Sequence, residues 1–312
     1  MITETDPEQI TIGGELRVNR IGYGAMKLTG DQVWGPYPDH DRAVSVLRGV
    51  VDAGVNMIDT ADVYGPHTNE LLIRAALHPY PEGLVIATKG GFVRGGFDYS
   101  TLDAVGNPNY LRQSAHMSAQ RLGVDSIDLY YLHSGRALDA PFEDQVGALA
   151  DLRQAGLIRH VGLSNVTLEQ LRVAQSIVPV AAVTALYNVT ARVGADLLAA
   201  AEEDGIVFSP WHPVTTTDGP LAPRAAEVLP PIAAAHGATV QQVALAWQLQ
   251  GSPQALPIPG TTSLAHLHEN LRARSIVLSP EEMRAIDDIT APPADSGGQG
   301  QTKKGRFTKK AM

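Results

Sequence analysis

The amino-acid sequence predicts a single α/β domain of the (β/α)8 TIM barrel class, with an N-terminal β-hairpin. Three observations predict this fold. Eight short apolar runs alternate with helical patterns, 312 residues suit one barrel of about 250 residues with longer loops, and no change in composition marks a second core. We assign residues 1–290 to the barrel. Residues 291–312 are rich in Pro, Gly and Lys and lack apolar periodicity, so we expect a flexible tail there.

The strands are predicted from short apolar runs that are bounded by turn residues. Before them, the segment ITIGGELRV alternates around Gly13 and Gly14, which predicts a hairpin with a two-residue turn. The eight barrel strands are predicted at residues 21–23, 57–59, 84–88, 126–132, 160–164, 181–186, 206–209 and 255–259.

Helical patterns fill the intervals between the strands. Two irregular stretches, residues 29–41 and 215–224, follow strand ends, where barrel enzymes carry their substrate loops. Several helices also have a start signal, which is a capping residue followed by proline or by Glu or Gln three positions later. These signals are Asn107 with Pro108, Thr167 with Gln170, and Ser279 with Glu282.

Composition excludes several classes of function. The net charge of -9 argues against a surface that neutralises nucleic-acid phosphates. The absence of cysteine excludes a disulfide framework, a thiolate metal site and a cysteine nucleophile. The first residues, MITETDPEQI, do not resemble a secretory leader, and no apolar run reaches the roughly 18 residues of a membrane span. We therefore expect a cytoplasmic protein that acts on small molecules and has neither nucleic acid nor membrane as a partner.

Four residues that can carry chemistry lie at or just beyond predicted strand ends: Asp59, Tyr64, Lys89 and His133. In a barrel these ends converge on one face. Transfer of hydride to a carbonyl creates a developing alkoxide, which must be protonated and stabilised. Tyr64 can supply the proton, and a nearby Lys89 is expected to lower the pKa of its phenol by roughly 1 to 3 units. Asp59 would orient Lys89, while neutral His133 would hydrogen-bond the carbonyl oxygen.

Each of these residues also has a structural explanation when it is taken alone. Asp59 can cap a turn, Tyr64 can pack a loop, Lys89 can be solvated, and His133 can be a hydrogen-bonded core histidine. Their convergence at the ends of strands two, three and four favours an active site.

Five segments resemble those of a known family, in the same order: NMIDTADVYG, VIATKG, LYYLHS, HVGLSNV and PIPGTTSLAHLHEN. They resemble the aldo-keto reductase superfamily, and the likeness covers residues 10–291. The resemblance implies an NAD(P)H-dependent oxidoreductase that reduces an aldehyde or ketone to an alcohol, with Asp59, Tyr64, Lys89 and His133 as its catalytic residues. The segments RIGYGAMKL and WGPYPD look closest to a bacterial subgroup that includes pyridoxal-reductase-like enzymes.

The resemblance also implies where a nicotinamide cofactor lies. A Rossmann fingerprint at Gly22 and Gly24 is rejected, because Lys27 occupies the third glycine position. The family instead places the cofactor across the barrel mouth. The residues implied to contact it are Gly24, Ala25, Met26, Asp59, Ser164, Asn165, Thr184, Phe208, Ser209, Pro210, Trp211, Ile258, Gly260, Thr261, Thr262, His266, Glu269 and Asn270.

Some of these positions depart from the family pattern. Phe208 stands where a tyrosine usually stacks on the nicotinamide, and Thr184 where many members have Gln. Around Thr262 and His266 the Lys, Ser and Arg that often bind the 2′-phosphate are missing. Backbone amides at the start of the next helix and the threonine hydroxyls can still bind a phosphate. NADPH is the expected cofactor, and NADH stays open.

The sequence does not distinguish between three possible substrates, which are pyridoxal, a keto or enoyl sugar nucleotide and a general aldehyde. Trp34, Arg94, Arg136 and Trp211 are the candidate lining residues, which would suit an aromatic or anionic carbonyl compound. The alternative for both arginines is that they are solvated loop charges.

Two other functions are compatible with parts of the sequence. A redox-sensing regulatory subunit with little turnover would keep the fold and the nicotinamide, although a complete catalytic set argues against it. A metal-dependent barrel hydrolase would need His or carboxylate ligands on several strand ends, and the sequence lacks that pattern. The two histidines of His266-x-His268 point to different faces of a helix, so no metal is expected.

Overall fold

The computed structural model describes residues 8–290 and confirms the barrel. Seven parallel strands form one curled sheet, in the order β11-β10-β9-β8-β5-β4-β3. The strands of residues 8–290 are β1 (Gln9–Ile12), β2 (Leu16–Asn19), β3 (Tyr23–Gly24), β4 (Met57–Asp59), β5 (Val85–Gly90), β6 (Phe92–Arg94), β7 (Leu102–Ala104), β8 (Ile127–Leu132), β9 (Ile158–Ser164), β10 (Val180–Leu186) and β11 (Val207–Trp211).

Helices cover the outside of this sheet. They are α1 (His40–Asp52), α2 (Thr68–Leu77), α3 (Pro108–Leu122), α4 (Phe142–Gln154), α5 (Leu168–Ile177), α6 (Ala195–Asp204), α7 (Ala222–Ala235), α8 (Val240–Gly251), α9 (Leu264–Arg272) and α10 (Pro280–Asp287). No helix within residues 8–290 is long and apolar enough to cross a membrane.

The predicted eighth strand is not a regular strand. Residues 255–259 bridge β11 through the Leu256 amide, which donates to the Phe208 carbonyl at 2.8 Å. On the other side, the Gly22 amide donates to the Pro257 carbonyl at 3.0 Å. Pro257 and Pro259 have no N–H and occupy alternate positions, so the donors that would pair this segment with β3 are missing. The segment therefore closes the barrel with few hydrogen bonds.

The predicted hairpin is confirmed, but its turn is longer than expected. Ile12 pairs with Leu16, so the loop contains Gly13, Gly14 and Glu15. Gly13 has φ +60°, and a Cβ there would come within 2.2 Å of the His160 ring. This packing admits only glycine. The apolar side chains of the hairpin pack against the inward-facing residues of the barrel strands.

Alternation along the strands decides which side chains face the barrel interior. On β8, Leu129 and Tyr131 pack inward, whereas Tyr130 and Leu132 pack against the helices. The same alternation continues through the ends of the strands and therefore determines which residues reach the mouth.

The helix start signals are confirmed. The Asn107 side chain accepts from the amides of Asn109 and Tyr110, which caps α3. Reciprocal capping boxes begin α5 at Thr167 and α10 at Ser279. A cap of this kind contributes about 1 kcal/mol to stability. One feature was not predicted: β6 and β7 form a hairpin in the loop that follows β5. The proposed tail at residues 291–312 lies outside the described residues.

Candidate active site

A buried ion pair occupies the centre of the barrel mouth. Lys89 Nζ donates to Asp59 Oδ1 at 2.5 Å and to the Thr60 carbonyl at 2.8 Å. Both charged side chains are about 5% exposed. Burial raises the pKa of Asp59, and the Lys89 ammonium opposes that rise. The register between β4 and β5 brings the pair together. Asp59 ends β4 opposite Ala87 of β5, and Lys89 lies two residues after Ala87 on the same face of the sheet.

Tyr64 lies directly beside this ion pair. Lys89 Nζ is 5.3 Å from the centroid of its ring, and the ring is half-buried. The prediction that Lys89 lowers the pKa of Tyr64 is wrong in this geometry. Burial raises the pKa of the phenol well above 10, and the negative charge of Asp59 raises it further. The physical reason is that burial of the phenol outweighs the attraction of the Lys89 ammonium, whose charge Asp59 offsets in part. Tyr64 is therefore protonated at neutral pH and can act as a proton donor.

His133 completes the group next to Tyr64. The two ring centroids are 6.1 Å apart with nearly perpendicular planes. Burial lowers the pKa of His133 well below 6.5, and Lys89 lowers it further, so the imidazole is neutral. Its Nδ1 has no hydrogen-bond partner among the described residues. The structure thus brings together all four residues that were predicted to be catalytic.

Sequence reasoning missed two residues of this group. The carbonyl of Thr60 holds Lys89, and the Thr60 hydroxyl donates to Asn69 at 2.7 Å. Tyr131 lies below, with its ring centroid 5.8 Å from Lys89 Nζ. A Cβ on Gly162 would come within 2.4 Å of the Tyr131 ring, so glycine makes room for it. Strict alternation back from His133 could have identified Tyr131 as an inward residue.

A second buried acid lies behind the active site. Asp62 accepts a hydrogen bond from Ser114 at 2.6 Å through Oδ2, whereas its Oδ1 has no partner in the described chain. Burial raises the pKa of Asp62 from 3.8 to about 7. The nearby Glu70 raises it further, while Arg121 lowers it. Asp62 therefore changes its charge near neutral pH.

We expect Asp62→Asn to stabilise the protein at pH 8 and to have less effect at low pH. Between about pH 4 and pH 7 the folded state retains a proton that the unfolded state releases. The stability of the parent protein consequently falls as the pH rises through this window, and an amide removes that loss. Urea denaturation of both proteins from pH 4.5 to pH 8 measures the difference. A difference that does not vary with pH would contradict the prediction.

Three inward hydroxyl residues form a row beside the catalytic group. Ser164 on β9 pairs with Thr184 on β10, which in turn pairs with Ser209 on β11. The Thr184 hydroxyl is buried and has no partner among the described residues. Asn165, with φ +52°, donates to the Ser164 hydroxyl at 2.9 Å and accepts from the Trp211 indole at 3.1 Å. This row can hydrogen-bond a planar amide.

The predicted position of Phe208 is wrong. Its side chain is fully buried among residues that pack against α5 and α6, and its ring meets Tyr187 edge-on at 5.7 Å. Alternation explains this, because Val207 and Ser209 face inward and the residue between them must face outward. Phe208 cannot stack on a ligand in the barrel mouth. Trp211 is the aromatic residue of β11 that borders the mouth.

The remaining candidate cofactor residues lie on the two sides of the barrel closure. A Cβ on Gly24 would come within 2.7 Å of the Ile258 carbonyl, and one on Gly260 within 2.7 Å of the Gly24 carbonyl. Both glycines are thus required by their mutual packing. The Thr261 hydroxyl accepts from the Ser263 amide at 3.1 Å, which uses one of its two lone pairs. Ala25 and Met26 follow β3, Pro210 lies on β11, Thr262 precedes α9, and α9 carries His266, Glu269 and Asn270.

Of the two candidate substrate arginines, Arg94 has its terminal nitrogens bound to main-chain carbonyls. Arg94 donates to the carbonyls of Gln32, Val33, Gly96 and Phe97, and its guanidinium lies 5.3 Å from the Trp34 ring centroid. Its donors therefore tie the 29–41 loop to the β6–β7 hairpin. This corrects both sequence interpretations of Arg94, as a substrate ligand and as a solvated charge.

The model of the aldo/keto reductase family matches residues 20–291. The chain belongs to the aldo/keto reductase family. It is accordingly an NAD(P)H-dependent oxidoreductase.

Individual relatives extend the likeness over most of the chain. Pyridoxine 4-dehydrogenase of Escherichia coli is 42% identical over 283 residues, covering 89% of this chain and 96% of the relative. An uncharacterized oxidoreductase of Schizosaccharomyces pombe is 41% identical over 293 residues, with coverage of 93% and 92%. Among solved structures, an aldo/keto reductase from Klebsiella pneumoniae in complex with NADP and acetate has a TM-score of 0.72 at 25% identity, with coverage of 93% and 98%.

Proposed function

We propose that this aldo/keto reductase uses NADPH to reduce the aldehyde of pyridoxal to an alcohol, with Tyr64 as the general acid. The observation that carries the proposal is the contact set of Lys89, which joins Asp59, Thr60 and Tyr64 next to neutral His133. The substrate is supported by the relative that is named for oxidation of pyridoxine, the reverse reaction.

The residues at the mouth fit a nicotinamide cofactor. The Thr184 hydroxyl, which has no partner among the described residues, and the amide of Asn165 would hydrogen-bond its carboxamide. Two cations that the sequence analysis did not include suit a phosphorylated cofactor. Arg42 donates to the Thr262 carbonyl at 3.3 Å, and the side chain of Lys27 lies beside Gly260. When bound, the cofactor supplies the hydride.

The chain supplies the proton and the orientation. The neutral imidazole of His133 donates an N–H to the carbonyl oxygen and so fixes the face of the aldehyde. The C=O bond becomes a C–O single bond as the hydride reaches carbon, and the Tyr64 phenol transfers its proton to that oxygen. Lys89 stabilises the phenolate that remains, since its ammonium lies over the ring. Asp59 and Thr60 hold Lys89 in place.

We expect NADPH to quench tryptophan fluorescence and pyridoxal to cause its oxidation. Trp211 reports the binding, because its indole contacts Asn165. The measurement is a titration with NADPH and NADH, followed by the loss of reduced-nicotinamide absorbance with pyridoxal and a panel of aldehydes. Tight binding without oxidation would favour the regulatory alternative, and the absence of binding to either cofactor would contradict the proposed function.

A further inference from the structure

Arg136 is a cation at the active-site mouth that has donors to spare within the described part of the chain. Arg136 follows β8 and is exposed. Its hydrogen bonds within the described chain are to the Ser134 hydroxyl, from its own amide at 3.1 Å and from Nε at 3.3 Å. The terminal nitrogens Nη1 and Nη2 donate to no residue of that part of the chain. Arg94, in contrast, uses both of its terminal nitrogens on main-chain carbonyls.

Packing holds Arg136 close to the reacting groups. Its guanidinium lies 5.8 Å from the centroid of the Phe92 ring, and that ring lies 4.7 Å from the His133 ring. One aromatic ring therefore separates the guanidinium from the imidazole that would bind the carbonyl. The Nε bond to Ser134 limits the swing of the side chain, which reduces the entropy lost on binding.

Lys27 and Arg42 lie at the barrel closure, where the cofactor phosphate is proposed to bind, and the catalytic group attracts an anion less than Arg136 does. Asp59 neutralises Lys89, and His133 is neutral. We propose that Arg136 binds a negatively charged oxygen on the substrate and makes this enzyme selective for aromatic aldehydes that carry an ionised ring hydroxyl. This proposal rests on the proposed reduction of pyridoxal, whose ring hydroxyl is acidified by the electron-poor pyridine and is ionised at neutral pH. A planar guanidinium is suited to such an oxyanion.

A matched pair of aldehydes tests the proposal. The probes are 3-hydroxypyridine-4-carboxaldehyde, which ionises, and 3-methoxypyridine-4-carboxaldehyde, which has a similar shape and cannot. We expect Arg136→Gln to raise KM for the hydroxy compound about tenfold, in line with a lost charge-assisted hydrogen bond, and to leave the methoxy compound nearly unchanged. Arg136→Lys should restore part of the difference. Arg17→Gln, on the hairpin strand β2, is the matched control and should change neither KM.

The two proposals can fail separately. Equal effects of Arg136→Gln on both aldehydes, or no effect on either, would overturn the role of Arg136 while reduction itself continues. If the parent protein reduces neither aldehyde nor pyridoxal, the proposed reaction fails. Calorimetric titration of the NADP-loaded protein with the hydroxy aldehyde then still decides the role of Arg136. A Kd that rises about tenfold in Arg136→Gln would support it, and an unchanged Kd would overturn it.

Discussion

Replacing Tyr64 with Phe is expected to lower kcat for aldehyde reduction by about 10²- to 10⁴-fold, the range contributed by a positioned general acid. The phenol is the protonated group beside the ion pair, because burial and Asp59 raise its pKa. Removing the hydroxyl removes the proton donor and almost no contact area. The Kd for NADPH measured by fluorescence should therefore change little. Single-turnover absorbance at the reduced-nicotinamide band measures the chemical step.

A matched control for this variant is Tyr80→Phe. The Tyr80 hydroxyl donates to the Leu122 carbonyl at 2.6 Å, in the helical layer away from the mouth. It should reduce stability slightly and leave kcat unchanged. Turnover by Tyr64→Phe at the parent rate would exclude Tyr64 as the acid and would turn attention to His133.

Lys89→Met should have the largest combined effect on stability and activity. The methionine has a similar volume but leaves the Asp59 carboxylate buried without its ammonium partner. Breaking a buried ion pair on one side costs roughly 3–5 kcal/mol in the free energy of unfolding. Turnover should be lost as well, because the phenolate of Tyr64 loses its stabilising cation. Urea denaturation and the pyridoxal assay measure the two effects.

The double variant Asp59→Asn with Lys89→Met separates stability from catalysis. Removing both charges should recover much of the lost stability, since no unpaired buried charge remains. Activity should stay low, because the cation that stabilises the phenolate is still missing. A double variant that recovers turnover would show that the ion pair serves folding alone.

Much of the site follows from position on the strands. Asp59, Lys89 and His133 are at strand ends, and the alternation of inward and outward residues brings their side chains to one face. The same rule, applied to β11, would have turned Phe208 outward. The prediction that Phe208 stacks on the nicotinamide rests instead on the likeness to family members. Local sequence predicted the helix caps well because they depend on residues only three positions apart.

Other features depend on contacts between distant segments. The four carbonyls that hold Arg94 come from two different loops, so its role could not be seen in either one. The pKa of Tyr64 depends on how completely Asp59 and Lys89 compensate each other within a buried pair. The eighth strand was predicted from an apolar run, although the two prolines in that run remove the donors of a ladder.

The sparse closure of the barrel at residues 255–259 links its stability to its ligand. The Gly22 amide makes the main-chain bond across this seam, and the close contact of Gly24 with Gly260 completes it. The proposed cofactor residues lie on both sides. A molecule that spans both sides adds contacts between β3 and residues 255–259, which few main-chain hydrogen bonds connect. Its binding energy is thereby added to the free energy of unfolding. When the ligand dissociates, the barrel loses this stabilisation and the closure at residues 255–259 again depends on few hydrogen bonds.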